Sequence, residues 1–271
     1  MRRGWFLPIT ATLGFAFLYL PIMSLVIFSF NENRLVTVWS GFSTKWYGEL
    51  FADPQMLGAA WRSLQVAFFS ASFALVLGTL CAVALVRFKR FRGRTVLAGT
   101  VSAPLVMPDV ITGLALLLLF VAMESLIGWP AGRGIVTIII AHSTFCMAYV
   151  TVVVQSRLSD LDLSLEEAAM DLGATPVRVF FDITLPIIAP ALVSGWLLAF
   201  TLSLDDLVIA SFVSGPGSST LPMVIFSKVR LGVSPDVNAL ATIIIGVVAL
   251  GVVAAMLIGF SQQNRTRARR G

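Results

Sequence analysis

The chain has 271 residues, of which 58% are apolar and only 12% are charged, and its mean hydropathy is +0.92. Soluble domains average about 25% charged residues, so this chain lacks the charge needed to coat a water-soluble surface. Composition therefore excludes a soluble globular domain and predicts an integral membrane protein. A net charge of +5 would suit a nucleic-acid partner. The basic residues, however, flank the apolar runs, which indicates membrane topology instead.

Six long segments with few or no charges follow one another along the chain. They lie at about 5–30, 63–86, 97–121, 134–156, 187–212 and 237–260. A membrane-spanning helix needs about 20 apolar residues. We therefore predict an all-α membrane protein with six transmembrane helices in a single domain covering residues 1–271. The first segment exceeds the apolar core of a secretion signal, so it is expected to be an uncleaved span.

Basic residues are distributed unevenly between the two sides that six spans imply. The side that carries both termini holds 13 Lys and Arg residues, against six on the opposite side. Because positively charged loops stay in the cytoplasm, both termini are predicted to be cytoplasmic. The loop at 157–182 departs from this pattern, since it has two Arg residues against six acids, Asp160, Asp162, Glu166, Glu167, Asp171 and Asp182.

The polar segment 164–186 carries the signals of a short helix. Ser164 and Glu167 fit a capping box, in which the hydroxyl and the carboxylate each satisfy a free backbone N–H. A helix is therefore expected from Leu165 to Leu172. Gly173 is expected to end this helix in the left-handed conformation.

A second start signal follows directly. Thr175 is predicted to cap a second helix with Pro176 at its first position. This helix should run from Val177 to about Thr184, and Pro186 should mark the entry into the next span. The first helix has one apolar face, formed by Leu165, Ala168, Ala169 and Leu172. These features suit a docking element, although an amphipathic loop resting on the membrane would explain them as well.

Seven positions in this segment resemble the EAA signature of ABC importer permeases. They are Glu167, Ala168, Ala169, Gly173, Ile183, Leu185 and Pro186. The resemblance implies a type I ABC importer permease fold with two short cytoplasmic coupling helices. In that family these helices sit in a cleft of the ATP-hydrolysing subunit, so the resemblance assigns the seven residues to coupling with an ATPase.

The resemblance covers nearly the whole chain. The stretches 104–110, 203–212, 214–217 and 233–242 are similar to the polyamine branch of the family. That branch implies import of putrescine, with spermidine or another small polyamine as the next candidate, across a bacterial inner membrane. It also implies several partners: a homologous second permease subunit, two cytoplasmic ATPase subunits that bind ATP and Mg, a periplasmic polyamine-binding protein and membrane lipid.

The sequence offers no signal for catalysis or for metal binding. The three lysines, Lys45, Lys89 and Lys228, never follow a glycine, so the chain has no Gly-Lys-Ser/Thr phosphate loop. The single histidine, His142, has no Cys or acid at ligand spacing, which excludes a recognisable zinc site. We therefore predict a non-hydrolysing subunit without a cofactor of its own, in which His142 is a hydrogen-bonded interior residue.

Three acids fall within the apolar segments: Asp109 in the third, and Asp205 and Asp206 near the end of the fifth. A charge at the bilayer centre costs about 2.5–3.5 kcal/mol on insertion scales, so such residues usually face a cavity or a partner. Pro104 and Pro108 are expected to break the third span just before Asp109. We hypothesise that Asp109 with Asp205 or Asp206 lines the route of a dication. The structural alternative is that these acids pair with a neighbouring subunit, with backbone amides or with an interfacial cation.

Two other classes of protein stay open at this point. A secondary transporter driven by protons through Asp109 and Asp206 explains the buried acids but not the capped polar segment. A non-transporting scaffold would use that segment for docking alone. Small residues at Gly195, Ala199 and Ser203 recur every four positions, which allows close helix approach either to another subunit or within the chain.

Overall fold

The secondary structure is helical along the described part of the chain. The computed structural model describes residues 5–34, 38–88, 90–232 and 235–250. Within these ranges only an isolated antiparallel bridge, between Asn31 and Phe42, departs from helices and their connections. The predicted all-α class is confirmed. The basic residues at 2–3, 89 and 265–270, which contribute to the predicted orientation, lie outside the described residues.

Five helices among the described residues are long and apolar enough to cross a membrane. They are α1 (Phe6–Phe28), α3 (Pro54–Arg87), α5 (Asp109–Ile127), α6 (Ile135–Ser159) and the continuous helical stretch Pro176–Asp205. A shorter apolar helix, α12, covers Pro235–Leu250, and the rest of the predicted sixth span at 237–260 lies outside the described residues. The chain is therefore a multi-pass membrane protein, and six is an approximate number of crossings.

The shorter helices are α2 (Lys45–Ala52), α4 (Arg94–Val106), α7 (Leu163–Asp171), α10 (Val208–Val213) and α11 (Leu221–Leu231). The stretch Pro176–Asp205 contains α8 (Pro176–Val179) and α9 (Leu185–Asp205). A π-helical turn at Phe180–Thr184 joins α8 to α9. The chain forms two compact units, one of residues 1–57 with 225–271 and the other of residues 58–224.

The third span at 97–121 is broken just before Asp109, as the sequence predicts. The helix stops at Val106 and restarts at Asp109, with Met107 in an extended conformation between them. Pro108 causes the break, because proline lacks an N–H group and disfavours a helical conformation in the residue before it. Pro104, which was also expected to break the span, lies inside α4.

The fifth span is also interrupted, although 187–212 was expected to be continuous. Helix α9 ends at Asp205, Asp206 takes an extended conformation with ψ 126°, and α10 begins at Val208. No proline marks this site in the sequence. The side chain of Asp206 supplies the reason, because its carboxylate binds the first free amides of α10 and so gives the backbone an alternative to the helical pattern.

Helix α6 forms the centre of the unit at 58–224. It packs against α4, α9 and α10, and α3 approaches it closely at Gly78, where an added Cβ would lie 2.8 Å from Cγ1 of Val150. The stripe of small residues on α9, Gly195, Ala199 and Ser203, is buried against this helix. Packing within the chain therefore explains the stripe, which is one of the two alternatives that the sequence left open.

An ion cluster ties together three segments of the other unit. The Lys228 ammonium on α11 donates to Asp53 Oδ2 at 2.9 Å and to Asp236 Oδ2 at 2.7 Å. Asp53 precedes α3 and also accepts from the amides of Gln55 and Met56, so it caps that helix. All three charged side chains are only partly exposed, so salt and solvent screen their pairing less than they screen a fully exposed ion pair.

Replacing Lys228 by Met should lower the melting temperature of the purified protein, with a loss in the free energy of unfolding on the order of 1–3 kcal/mol, because two partly buried carboxylates lose a charged donor. Lys45→Met is the matched control, since the Lys45 ammonium is exposed and lies over the Trp46 ring. Equal melting temperatures for the two variants would contradict a stabilising role for the cluster.

The difference in the free energy of unfolding between wild type and Lys228→Met should stay constant between about pH 5 and pH 9. The hydrogen bond from Lys228 lowers the pKa of Asp53 below 3.8, so its contribution is lost only as pH falls through that lowered value. Partial burial opposes the charge of Lys228, but bonds to Asp236 and Asp53 raise its pKa above 10.5 overall. The lysine's contribution is therefore lost only as pH rises beyond that range.

Candidate functional site

The first helix of the polar segment starts earlier than the sequence suggests. Helix α7 begins at Leu163, and its N-cap is Asp162, whose Oδ1 accepts from the Ser164 amide at 3.0 Å. The capping box predicted for Ser164 and Glu167 is therefore wrong. A carboxylate caps better here than a hydroxyl because it also interacts with the positive end of the helix dipole. This backbone hydrogen bond lowers the pKa of Asp162, which keeps the cap charged.

Gly173 ends α7 as the sequence predicts. Its φ is +87°, which favours glycine. The Gly173 amide donates to Met170 O at 2.9 Å, and the Ala174 amide donates to Ala169 O at 3.1 Å. This pair of bonds is a Schellman motif, which satisfies the last free carbonyls of the helix. It turns the chain sharply between α7 and α8.

The second helix of the segment is not a separate element. Thr175 and Pro176 start α8 as expected, but the helix continues through the π-helical turn into α9 without a break. Pro186 is the second residue of α9, within a helical stretch that is continuous from Pro176 to Asp205. The π turn, in which the Leu185 amide donates to Phe180 O, provides the change in register that lets a helix continue past a proline.

Apolar side chains are exposed on both sides of the Gly173 turn, which joins α7 to α8. Leu172 is 90% exposed, Val177 68% and Phe181 58%, and Leu165 and Met170 are exposed as well. Of the EAA positions, Glu167, Ala168 and Gly173 are exposed, whereas Ala169, Ile183 and Leu185 are partly buried and Pro186 is exposed. Large apolar side chains exposed on a polar segment indicate a surface that contacts another protein or the membrane.

Glu166 fixes this exposed surface to two other helices. Its Oε1 accepts from Arg87 at the end of α3, at 2.5 Å, and from the Thr184 hydroxyl in the π turn, at 2.7 Å. Sequence reasoning missed this carboxylate, because it assigned weight to the neighbouring Glu167. A signal did exist, since Glu166 is an acid on a short helix and Arg87 is a basic residue at the end of the second apolar segment. Their register across 79 positions cannot be read from sequence.

Asp206 lies in a closed hydrogen-bond network. Its carboxylate accepts from the amides of Ile209 at 3.3 Å and Ala210 at 2.8 Å, and its Oδ2 lies 3.1 Å from His142 Nε2. The other ring nitrogen of His142 lies 2.7 Å from Ser203 Oγ. The His142 side chain is 1% exposed and that of Asp206 8%. His142 is thus a hydrogen-bonded interior residue, as the sequence predicts.

Asp109 and Asp205 have a different environment. Both are exposed, and neither makes an ion pair within the described part of the chain. Asp109 opens α5 just after one helix break, and Asp205 closes α9 just before the other. Each acid therefore lies where a membrane helix is interrupted.

The two helix breaks lie near each other, because α5 packs against α10. At Gly113, one turn after Asp109, an added Cβ would lie 3.3 Å from the Ile209 Cα atom. Gly113 is four residues, or about 6 Å of helix, beyond Asp109, and Ile209 is three residues beyond Asp206. The packing therefore brings Asp109 within about 20 Å of Asp206.

Comparison with known proteins identifies the family. Residues 74–267 match the family described as the inner membrane component of binding-protein-dependent transport systems. The chain belongs to this family. The putrescine transport system permease PotI of Escherichia coli K12 is 61% identical, over all of this chain and 98% of that protein. The spermidine/putrescine permease PotC of the same organism is 42% identical, over all of this chain and 97% of that protein.

Solved structures support the permease fold. A chain of a bacterial ABC transporter that imports the polysaccharide alginate superposes with a TM-score of 0.72, covering 94% of this permease and 95% of that chain. A chain of the methionine transporter MetNI superposes with a TM-score of 0.55, over 79% of this permease and 95% of that chain. Both are 18% identical to it, so they show the fold alone.

Glu166→Gln in the permease should speed amide hydrogen exchange in α7 by about tenfold or more, because it weakens charge-assisted bonds to Arg87 and Thr184. Glu167→Gln is the matched control, since Glu167 is adjacent and exposed and should leave the exchange unchanged. Exchange in α6 serves as an internal reference. If both variants exchange at the wild-type rate, Glu166 does not hold α7 in place.

Proposed function

We propose that this chain is a permease subunit of an ABC importer that takes up putrescine or a closely related polyamine. The observation that carries the proposal is the 61% identity, across the full chain, to a putrescine transport permease. The spermidine/putrescine permease, at 42%, makes spermidine the next candidate. The chain contributes the membrane passage and leaves ATP hydrolysis to another subunit.

The proposed importer has further components. A homologous second permease pairs with this chain, two cytoplasmic ATPase subunits bind ATP and Mg, and a periplasmic binding protein delivers the polyamine. The excess of basic residues on the side of the termini supports a cytoplasmic location for both ends of the chain in the bacterial inner membrane. The polar segment then faces the ATPase, and the apolar helices face lipid.

The polar segment is the proposed coupling element. Glu167, Ala168, Ala169 and Gly173 form or border the exposed turn, which the ATPase would cover. Ile183, Leu185 and Pro186 lie where this turn continues into the long helix that ends at Asp205. Closure of the ATPase dimer on ATP would move the turn, and the continuous helix would carry that movement into the membrane as alternating access.

The intramembrane acids are the proposed contacts of the cation in transit. Asp109 with Asp205 or Asp206 would offset the charge of a protonated amine where the helices are interrupted. Binding there has to be weak, because the cation must leave the passage as readily as it enters. Affinity would reside in the periplasmic binding protein.

The experiment that tests the function is uptake by the reconstituted importer. Proteoliposomes that hold this permease, its partner permease and the ATPase receive labelled putrescine on loaded binding protein. Uptake should require hydrolysable ATP and should stop with an ATPase variant that binds ATP but does not hydrolyse it. Uptake driven by a proton gradient without ATP would favour the secondary transporter. Faster uptake of spermidine than of putrescine would identify spermidine, and not putrescine, as the preferred substrate.

Gly173→Asp should leave the permease inserted and assembled but reduce ATP-driven uptake by about tenfold or more. Aspartate tolerates a positive φ better than most residues, at a cost of about 1–2 kcal/mol, and open space surrounds Gly173. The loss would therefore come from the altered docking surface. Gly93→Asp is the matched control, because Gly93 has φ +88° and open space outside the coupling segment. Equal uptake by the two variants would count against the coupling role.

A further inference from the structure

The two adjacent acids at the end of α9 differ in what is left for them to bind. Asp206 already accepts from two backbone amides and from the His142 ring, so its carboxylate is committed within the chain. Asp205 is exposed and makes no ion pair with any residue that the structure describes. A cation in transit would have to displace an existing network at Asp206 but not at Asp205.

The network around Asp206 links three helices. The carboxylate accepts from His142 Nε2–H, and the other ring nitrogen, Nδ1, lies 2.7 Å from the Ser203 hydroxyl oxygen. Ser203 belongs to α9 and Ile209 and Ala210 belong to α10, whereas His142 belongs to α6. The network therefore connects both sides of the helix break to the most buried helix of the unit.

We propose that these acids have separate roles: Asp205 meets the cationic substrate, whereas Asp206, held by His142 and Ser203, fixes the helix break that presents Asp205. Asp206 and His142 are then positioning residues that never touch the substrate. This inference rests on the proposed polyamine import. That proposal left open whether Asp205 or Asp206 contacts the cation, and the inference selects Asp205. It follows from the saturated contacts of one carboxylate and the exposed position of the other.

Cysteine accessibility tests the placement without reference to transport. Both variants, Asp205→Cys and Asp206→Cys, are made in a background in which Cys81 and Cys146 are replaced by Ala. The full complex is then treated with a small cationic thiol reagent. Mass spectrometry then measures labelling of this subunit. Asp205→Cys should react at least about tenfold faster, and putrescine with its binding protein should slow that reaction. Comparable rates at the two positions, or faster reaction of Asp206→Cys, would overturn the assignment.

A double-mutant cycle tests the positioning role. Loss of a hydrogen bond to a charged group should lower uptake per ATP hydrolysed by about tenfold in His142→Leu. If His142 acts by presenting Asp205, the same change should cost less than about twofold in an Asp205→Asn background. Equal losses in both backgrounds would show that His142 acts independently of Asp205, and would overturn the proposal.

Two further variants separate a specific role from general damage. His142→Gln keeps a side-chain donor, so it should restore uptake toward the wild-type level where His142→Leu does not. Glu124→Gln removes an exposed carboxylate elsewhere on the chain and should leave uptake unchanged. Wild-type uptake by Asp205→Asn would overturn the inference. Failure of the wild-type complex to import any diamine would overturn the proposed function instead, while the labelling comparison still tests the placement.

Discussion

Backbone groups in the hydrocarbon region of a membrane have no water to bind, and this constraint determines how the helices of this permease can be interrupted. At the first break, Pro108 removes one N–H group that would otherwise need a partner. At the second, the Asp206 carboxylate takes over two amides at the start of α10. The two breaks are therefore accommodated in different ways. At the first, Pro108 has no N–H donor that needs a partner, and at the second, the Asp206 carboxylate supplies an acceptor for two free N–H donors.

The supplied acceptor carries a cost that the missing donor does not. A carboxylate in an apolar region is unfavourable unless its oxygens are satisfied. The amides of α10 satisfy part of this requirement, and His142 contributes a further hydrogen bond to the carboxylate. The histidine in turn needs an acceptor or donor for its second nitrogen, which Ser203 provides. One interruption in α9 thus accounts for three polar residues in an apolar core.

Local features of this chain could be predicted from sequence, and tertiary ones could not. Gly173 was predicted correctly because a Schellman motif depends only on residues within six positions of each other. The capping box at Ser164 was wrong because the carboxylate of Asp162, two positions earlier, accepts from the Ser164 amide, which the box would assign to the Glu167 carboxylate. The pairing of Glu166 with Arg87 was missed because no local pattern encodes a contact between residues that far apart in sequence. Hydropathy located the apolar segments for the same local reason, but it does not record the break at Asp206.

The second helix of the polar segment and Asp205 lie at the two ends of one helical stretch. From Pro176 to Asp205 the helix runs for 30 residues, or about 45 Å. Its first turns lie next to Glu166, which also binds the end of α3, and its last turn presents Asp205 beside the Asp206 network. A helix resists bending, so a displacement at the exposed turn is transmitted along it unless the π turn absorbs the movement. The bond from Thr184 to Glu166 joins that turn to α7, so the proposed coupling would depend on this side-chain contact.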